Sequence, residues 1–84
     1  MSMPLPVHFL MVPKRHISSM AHLTPDNERL MGRMMVLAPQ LAAEQGCNPY
    51  PDGGFRMTCN TGVEGGQEVH HLHVHIMGGP RPWK

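Results

Sequence analysis

The stretch Val69-His70-His71-Leu72-His73-Val74-His75-Ile76-Met77 alternates histidine with bulky apolar residues, and few local structures satisfy that pattern. On a strand, a period of two sends His71, His73 and His75 to one face and Leu72, Val74 and Ile76 to the other. One face then belongs in a core, and the other is free for chemistry. Imidazoles two residues apart along a strand stand roughly 6.5–7 Å apart, near enough to share a small anion, a relay of hydrogen bonds or a metal ion. A solvated polar face is the simplest alternative, and the flanking sequence has to decide.

The chain is 84 residues long, which allows one domain. A domain of that size buries only about 60–65% of its unfolded surface, so its core is marginal. Hydrophobic residues make up 40% of the chain, and no apolar run approaches the roughly 20 residues that a membrane-spanning helix needs. The opening Met1-Ser2-Met3-Pro4-Leu5-Pro6 lacks the basic segment and long apolar run of a signal peptide, giving the expectation of a cytoplasmic protein. Cys47 and Cys59 are too few for a disulfide framework or a thiolate metal site and are expected as free thiols. A net charge of +1 with 15% charged residues leaves no basic footprint, which argues against nucleic acid as a partner. The nine methionines are expected to act as adaptable core filler.

Along the chain, Val7 to Val12 is a nearly continuous apolar run closed by Pro13, which reads as a buried strand ending where proline removes a donor. His8, Leu10 and Val12 share one of its faces. Thr24-Pro25-Asp26 supplies a capping hydroxyl, a proline at the first helical position and an acid near the positive end of the helix dipole. Leu30, Met34, Leu37 and Leu41, joined by Met31, Met35, Ala38 and Ala42, then recur with a 3.6-residue period up to Gly46, a fitting C-terminal cap. A helix is therefore expected over about 25–45, with a bend or break just before Pro39, since an interior proline costs about 3 kcal/mol. Cys47 to Gly54 is turn chemistry. Phe55 to Asn60 alternates again, with Phe55, Met57 and Cys59 toward the core. Thr61 to Gln67 carries three glycines that can take positive φ and expose backbone N–H groups to an oxyanion. Gly78-Gly79-Pro80-Arg81-Pro82 ends the last strand ahead of a short tail with Trp83.

Two chemistries suit aligned imidazoles beside such a loop. Neutral histidines can ligate zinc, which takes three protein ligands in a catalytic site. Glu68 is the nearby carboxylate, however, and the glycine loop suits a phosphate better than a metal. Alternatively, a neutral imidazole nitrogen is a competent nucleophile at phosphorus when its other nitrogen donates a hydrogen bond. Neighbouring histidines then relay protons while loop amides hold the phosphoryl oxygens. His73, at the centre, has partners on both sides.

At this point His71-Leu72-His73-Val74-His75-Ile76-Met77 resembles the His-φ-His-φ-His-φ-φ signature of the histidine triad (HIT) superfamily, φ being apolar. Pro6-Val7-His8-Phe9-Leu10-Met11-Val12-Pro13-Lys14-Arg15-His16-Ile17 and Asn60 through Gly66-Gln67 look like its Hint branch, the purine nucleoside phosphoramidase-like proteins. The resemblance implies an α+β fold, a HIT-like antiparallel sheet with one main helix at about 25–45 and strands near 7–12, 55–60 and 69–77. It implies a nucleotide-binding hydrolase that cleaves purine nucleoside 5'-phosphoramidates or related AMP derivatives through a nucleotidyl-histidine intermediate, without a metal or other cofactor. By the same carry-over His73 is the nucleophile, His75 lies by the phosphate and leaving group, and His71 joins a hydrogen-bond network with His8. Asn60, Gly65, Gly66 and Gln67 would contact the phosphate region, and Leu10 would line the base pocket. The third histidine, His75, is intact as in the hydrolase branches. The expected partners are an AMP-like purine nucleotide and a second copy of the chain in a homodimer, with no membrane and no nucleic acid. Two departures stand out: Glu68 occupies a position where the branch commonly has serine, and the family pattern places further strands ahead of the segment matching His8. The expectation is thus a single HIT-like domain over 1–84 lacking those N-terminal strands. The alternatives are a catalytically impaired nucleotide-binding or dimeric interaction module and, from the metal chemistry above, a zinc-dependent hydrolase.

Overall fold

The computed structural model describes residues 7–79, so the expectations attached to 1–6 and to 80–84, Trp83 included, lie outside the described residues. Three strands, β1 (Val7–Met11), β2 (Phe55–Thr58) and β3 (Val74–Gly78), form an antiparallel sheet in the order β1-β3-β2, and one long helix, α1 (Glu28–Glu44), packs against it. This is the expected α+β arrangement. The most strongly alternating segment takes the central place because it alone is paired on both sides. Phe9 and Met57 lie opposite Ile76, and Met11 lies opposite Val74. Those residues line the covered face, where Leu72 and Ile76 are 1% and 0% exposed. Full burial of side chains of this size contributes about 1.5–3 kcal/mol each.

The helix meets the sheet through Met34, Ala38 and Ala42, four residues apart and therefore on one stripe. The two alanines are fully buried, and their lack of bulk lets the backbone of α1 approach the sheet closely. Its entry differs slightly from expectation. A 3-10 turn, Pro25–Asn27, precedes α1, and the buried Asn27 side chain accepts the Thr24 N–H at 2.9 Å, so the cap operates one turn ahead of the helix. The exit is as expected: Gly46 takes φ +105°, with Gly46 N–H donating to Ala43 and Cys47 N–H to Ala42, the paired bonds of a Schellman cap. Pro39 does not break the helix, which runs from 28 to 44 without interruption. Pro39 and Met35, whose carbonyl loses its helical donor, both lie on the exposed side, where water can replace the missing bond.

The strands are shorter than the apolar pattern suggests. β1 stops at Met11 because Pro13 has no N–H to donate, and β2 stops at Thr58 rather than at residue 60. With both partners exhausted, pairing on β3 reaches no further back than Val74, not residue 69. Residues 71–73 nevertheless keep the alternation, Leu72 being buried between half-buried His71 and His73. Phe55 is the other correction. It stands opposite Gly78 at the sheet's end, where the neighbour has no side chain to cover it, and remains 38% exposed. Both cysteines are free, as expected. Among the described residues no helix is long and apolar enough to cross a membrane.

Candidate active site

The uncovered face of the sheet follows from the register. Leu10, His75 and Thr58 form one row across the three strands, and His8, Met77 and Arg56 form the next. His8 and His75 are therefore diagonal neighbours, and His8 Nε2 lies 3.0 Å from His75 Nδ1. Two ring nitrogens at that distance hold one proton between them. His73 extends the line, its ring centroid 5.1 Å from that of His75, while His8 is 5.2 Å away on the other side. Three imidazoles from two parts of the chain thus touch in sequence.

His73 is held by a local bond. Its Nδ1 lies 2.7 Å from the carbonyl oxygen of His71. A carbonyl can only accept, so Nδ1 carries a proton, and in the neutral form of the ring the lone pair is on Nε2. His71 points elsewhere: its Nε2 donates to the Pro13 carbonyl at 3.1 Å, and its ring lies 5.0 Å from that of His16. The network expected between His71 and His8 is therefore not the one formed, because the partner of His8 is His75. The reason is geometric, since β1 ends before it reaches His71. His16, absent from the expected site, enters it by donating from Nε2 to the His70 carbonyl at 3.1 Å. The two residues are 54 apart in sequence, and no spacing rule connects them.

Electrostatics distinguish His75 from its neighbours. Partial burial, followed by the neighbouring His73 and His8, pushes its pKa below the ordinary histidine value. A second proton on His75 is thereby disfavoured. Cys59 lies against the same segment; burial pushes its thiol up, and a hydrogen bond from the His73 backbone opposes that only in part. Among the described residues no three His, Cys, Asp or Glu side chains are arranged to hold a metal ion, so the zinc reading finds no donor set.

The glycine loop closes on itself. Gly62 and Gly66 take φ +70° and +79°, Gly66 N–H donates to Val63 at 3.0 Å and Gln67 N–H to Gly62 at 2.9 Å. Gly65 has no such φ, but a Cβ there would overlap the Thr61 backbone. The Gln67 side chain accepts from Gly62 N–H at 2.9 Å and donates to the Ser18 and Val69 carbonyls at 2.7 and 3.0 Å. Its amide is thus engaged within the protein, which the sequence does not reveal. Asn60 is exposed just beyond β2, and Leu10 is 51% exposed on the histidine face. An open concavity of about 620 Å³ at the neighbouring end of the sheet shares Arg56 and Met77 with the histidine face and is otherwise lined by residues such as Asn48, Asp52, Phe55 and Gly79, with no histidine among its lining residues. The site is marked by its side chains rather than by depth.

Comparison with known proteins agrees with this geometry. The family model described as HIT domain matches residues 2–81. Protein HitA of Neisseria gonorrhoeae is 47% identical over 75 residues, which cover 89% of this chain and 66% of that protein. An uncharacterized HIT-like protein of Synechocystis is 39% identical over 79 residues, 93% of this chain and 66% of its own length. Among solved structures, a HIT family hydrolase from Legionella pneumophila superposes with a TM-score of 0.79 at 34% identity, covering 90% of this chain and 66% of that one. A histidine triad protein from Clostridium difficile gives 0.79 at 35% identity over 92% and 64%. The chain thus spans just under two thirds of the length of these relatives. With its three alternating histidines, its antiparallel sheet and a family match over nearly the whole sequence, this chain belongs to the HIT family.

Proposed function

We propose that the protein is a nucleotidyl hydrolase acting on purine nucleoside 5'-phosphoramidates or related AMP derivatives, with His73 as nucleophile. The observation that carries this reading is the 2.7 Å bond from His73 Nδ1 to the His71 carbonyl, which leaves Nε2 as the nucleophilic nitrogen in the neutral ring. In the first step the Nε2–phosphorus bond forms and the bond from phosphorus to the leaving amine breaks. As the ring acquires positive charge its Nδ1–H bond to the carbonyl strengthens, which stabilises the intermediate. The leaving nitrogen takes a proton passed in from solvent along the line formed by His8 and His75, each ring giving one proton as it accepts another, so that neither is left as an anion. Water then attacks phosphorus, the Nε2–phosphorus bond breaks, and the water's proton returns along that line while AMP departs. In this reading the phosphoryl oxygens would be met by backbone N–H groups of the 61–67 loop other than those of Gly62, Gly66 and Gln67, which donate within the protein, and Leu10 and Asn60 would be further substrate contacts.

The test is chemical. A phosphorus–nitrogen adduct is labile in acid and stable in base, so brief reaction with a labelled AMP amidate should leave such a label on the protein. No label should appear in His73→Ala. Labelling that persists in His73→Ala excludes the assignment.

A homodimer fits the same reading, since a core this small gains from association and α1 exposes Met35 and Val36 at 58% and 77%. Sedimentation should give the mass of two chains, and a single-chain mass at working concentration contradicts it.

A further inference from the structure

His73, the proposed nucleophile, does not lie on the paired part of the sheet, although His8 and His75 do. β3 begins at Val74, so the backbone of residues 67–73 is outside the strand ladder. What holds it is the stretch that follows β1. His16 Nε2 donates to the His70 carbonyl at 3.1 Å, Leu72 N–H donates to the Ile17 carbonyl at 2.6 Å, and Gln67 Nε2 donates to the Ser18 carbonyl at 2.7 Å. Three consecutive residues, 16 to 18, each take part in one bond across this seam.

Gln67 is the member of the seam that also reaches the glycine loop. Besides Ser18 it donates to the Val69 carbonyl at 3.0 Å, and its Oε1 accepts from Gly62 N–H at 2.9 Å. A primary amide has two N–H donors, and both are used here. The same residue's backbone N–H closes the loop on Gly62 at 2.9 Å. One side chain therefore joins the beginning of the glycine loop, the segment after β1 and the approach to the histidine run. Freed of that side chain, the loop and the segment carrying His71 would be joined mainly through the chain itself.

We propose that Gln67 is a positioning residue for His73, acting through this three-way tie on the backbone and not by touching the substrate. The proposal rests on the reading of His73 as nucleophile, but the tie itself can be measured without turnover. It also replaces the expectation that the Gln67 amide contacts the phosphate, because that amide is engaged with Gly62, Ser18 and Val69.

Two variants separate the possibilities. Gln67→Ala removes all three side-chain bonds. Gln67→Glu keeps nearly the same shape and the acceptor for Gly62 N–H, but an ionised carboxylate cannot donate to Ser18 and Val69. It also supplies the test if Gln67→Ala does not fold. Amide exchange should be about tenfold faster at Gly62 in Gln67→Ala, and about tenfold faster at Leu72 in both, as expected for losing a hydrogen bond of ordinary strength. With an AMP amidate as substrate, kcat should fall at least tenfold in Gln67→Glu while the dissociation constant of AMP stays within about twofold. Relative to wild type at each pH, that deficit should shrink as pH falls from 7 toward 5, because a protonated carboxyl regains a donor. Weaker AMP binding with unchanged exchange at Gly62 and Leu72 would overturn the proposal in favour of direct contact. Unchanged exchange and unchanged kcat would overturn it outright. If the wild-type protein turns over no amidate, faster exchange in the variants still upholds the tie, and it is the reading of His73 that fails.

Discussion

Gly65 and Gly66 are adjacent, yet the structure requires glycine at each for a different reason, and the difference is measurable. At Gly66 φ is +79° and a Cβ would meet nothing within 4 Å. The penalty for Gly66→Ala is therefore that of the left-handed backbone alone, about 1–2 kcal/mol for an L residue. In a domain of this size each kcal/mol shifts Tm by about 4–8 °C, so the loss should be roughly 4–16 °C. Asparagine tolerates this backbone better than alanine, and Gly66→Asn should recover a clear part of the loss. At Gly65 the obstacle is steric: a Cβ would overlap the carbonyl oxygen and amide nitrogen of Thr61, both backbone atoms that cannot rotate away. Gly65→Ala must open the loop, at about 1–3 kcal/mol by analogy with overpacking, and Gly65→Asn should be no better than Gly65→Ala. Thermal melts of the four single variants give the comparison. The reasoning is refuted if Gly65→Ala melts with the wild type, or if asparagine at 66 is as costly as alanine.

Other consequences concern acid, the helix and the thiol. Folding lowers the pKa of His75 below 6.5, so the unfolded chain binds this proton first on acidification. The stability this contributes is present above about pH 6.5 and is lost as pH falls through the folded value. Urea unfolding at pH 7.5 and 5.5 should show a smaller drop in His75→Gln than in wild type, and equal drops contradict the assignment. Pro39→Ala restores a donor to the Met35 carbonyl on the exposed side of α1 and should stabilise by about 2 kcal/mol, the helix penalty of proline less its restriction of the unfolded chain. A lower Tm in Pro39→Ala would show that the ring packs in a way its exposure does not suggest. Because burial raises the Cys59 pKa, its thiolate is scarce at pH 7.5, and iodoacetamide should label it at least about tenfold more slowly in the native protein than in urea. Equal rates refute that.

The sequence made legible what depends on period and on local chemistry. The alternation from His71 to Ile76 marks which side chains are covered, the stripe through Met34, Ala38 and Ala42 marks the face of α1, and Gly46 marks its end. The extent of β3 was not legible, because a strand's length is set by its partners, and Pro13 shortens the partner rather than the strand itself. The continuity of α1 through Pro39 depended on which side of the helix faces water, a tertiary fact. In the site, the triad could be read directly. The pairing of His8 with His75 instead of His71 follows from register, and the roles of His16 and Gln67 depend on backbone carbonyls of Ser18 and His70 that any residue could supply.

The central claim is that phosphorus becomes bonded to one particular atom, Nε2 of His73. Magnetic resonance on the base-stable adduct, correlating the phosphorus with the imidazole nitrogens of a histidine-labelled sample, tests it most directly. The account predicts a single phosphorus–nitrogen coupling to Nε2 of His73, with Nδ1 still protonated toward the His71 carbonyl. Phosphorus on Nδ1, or on His71 or His75, would contradict it.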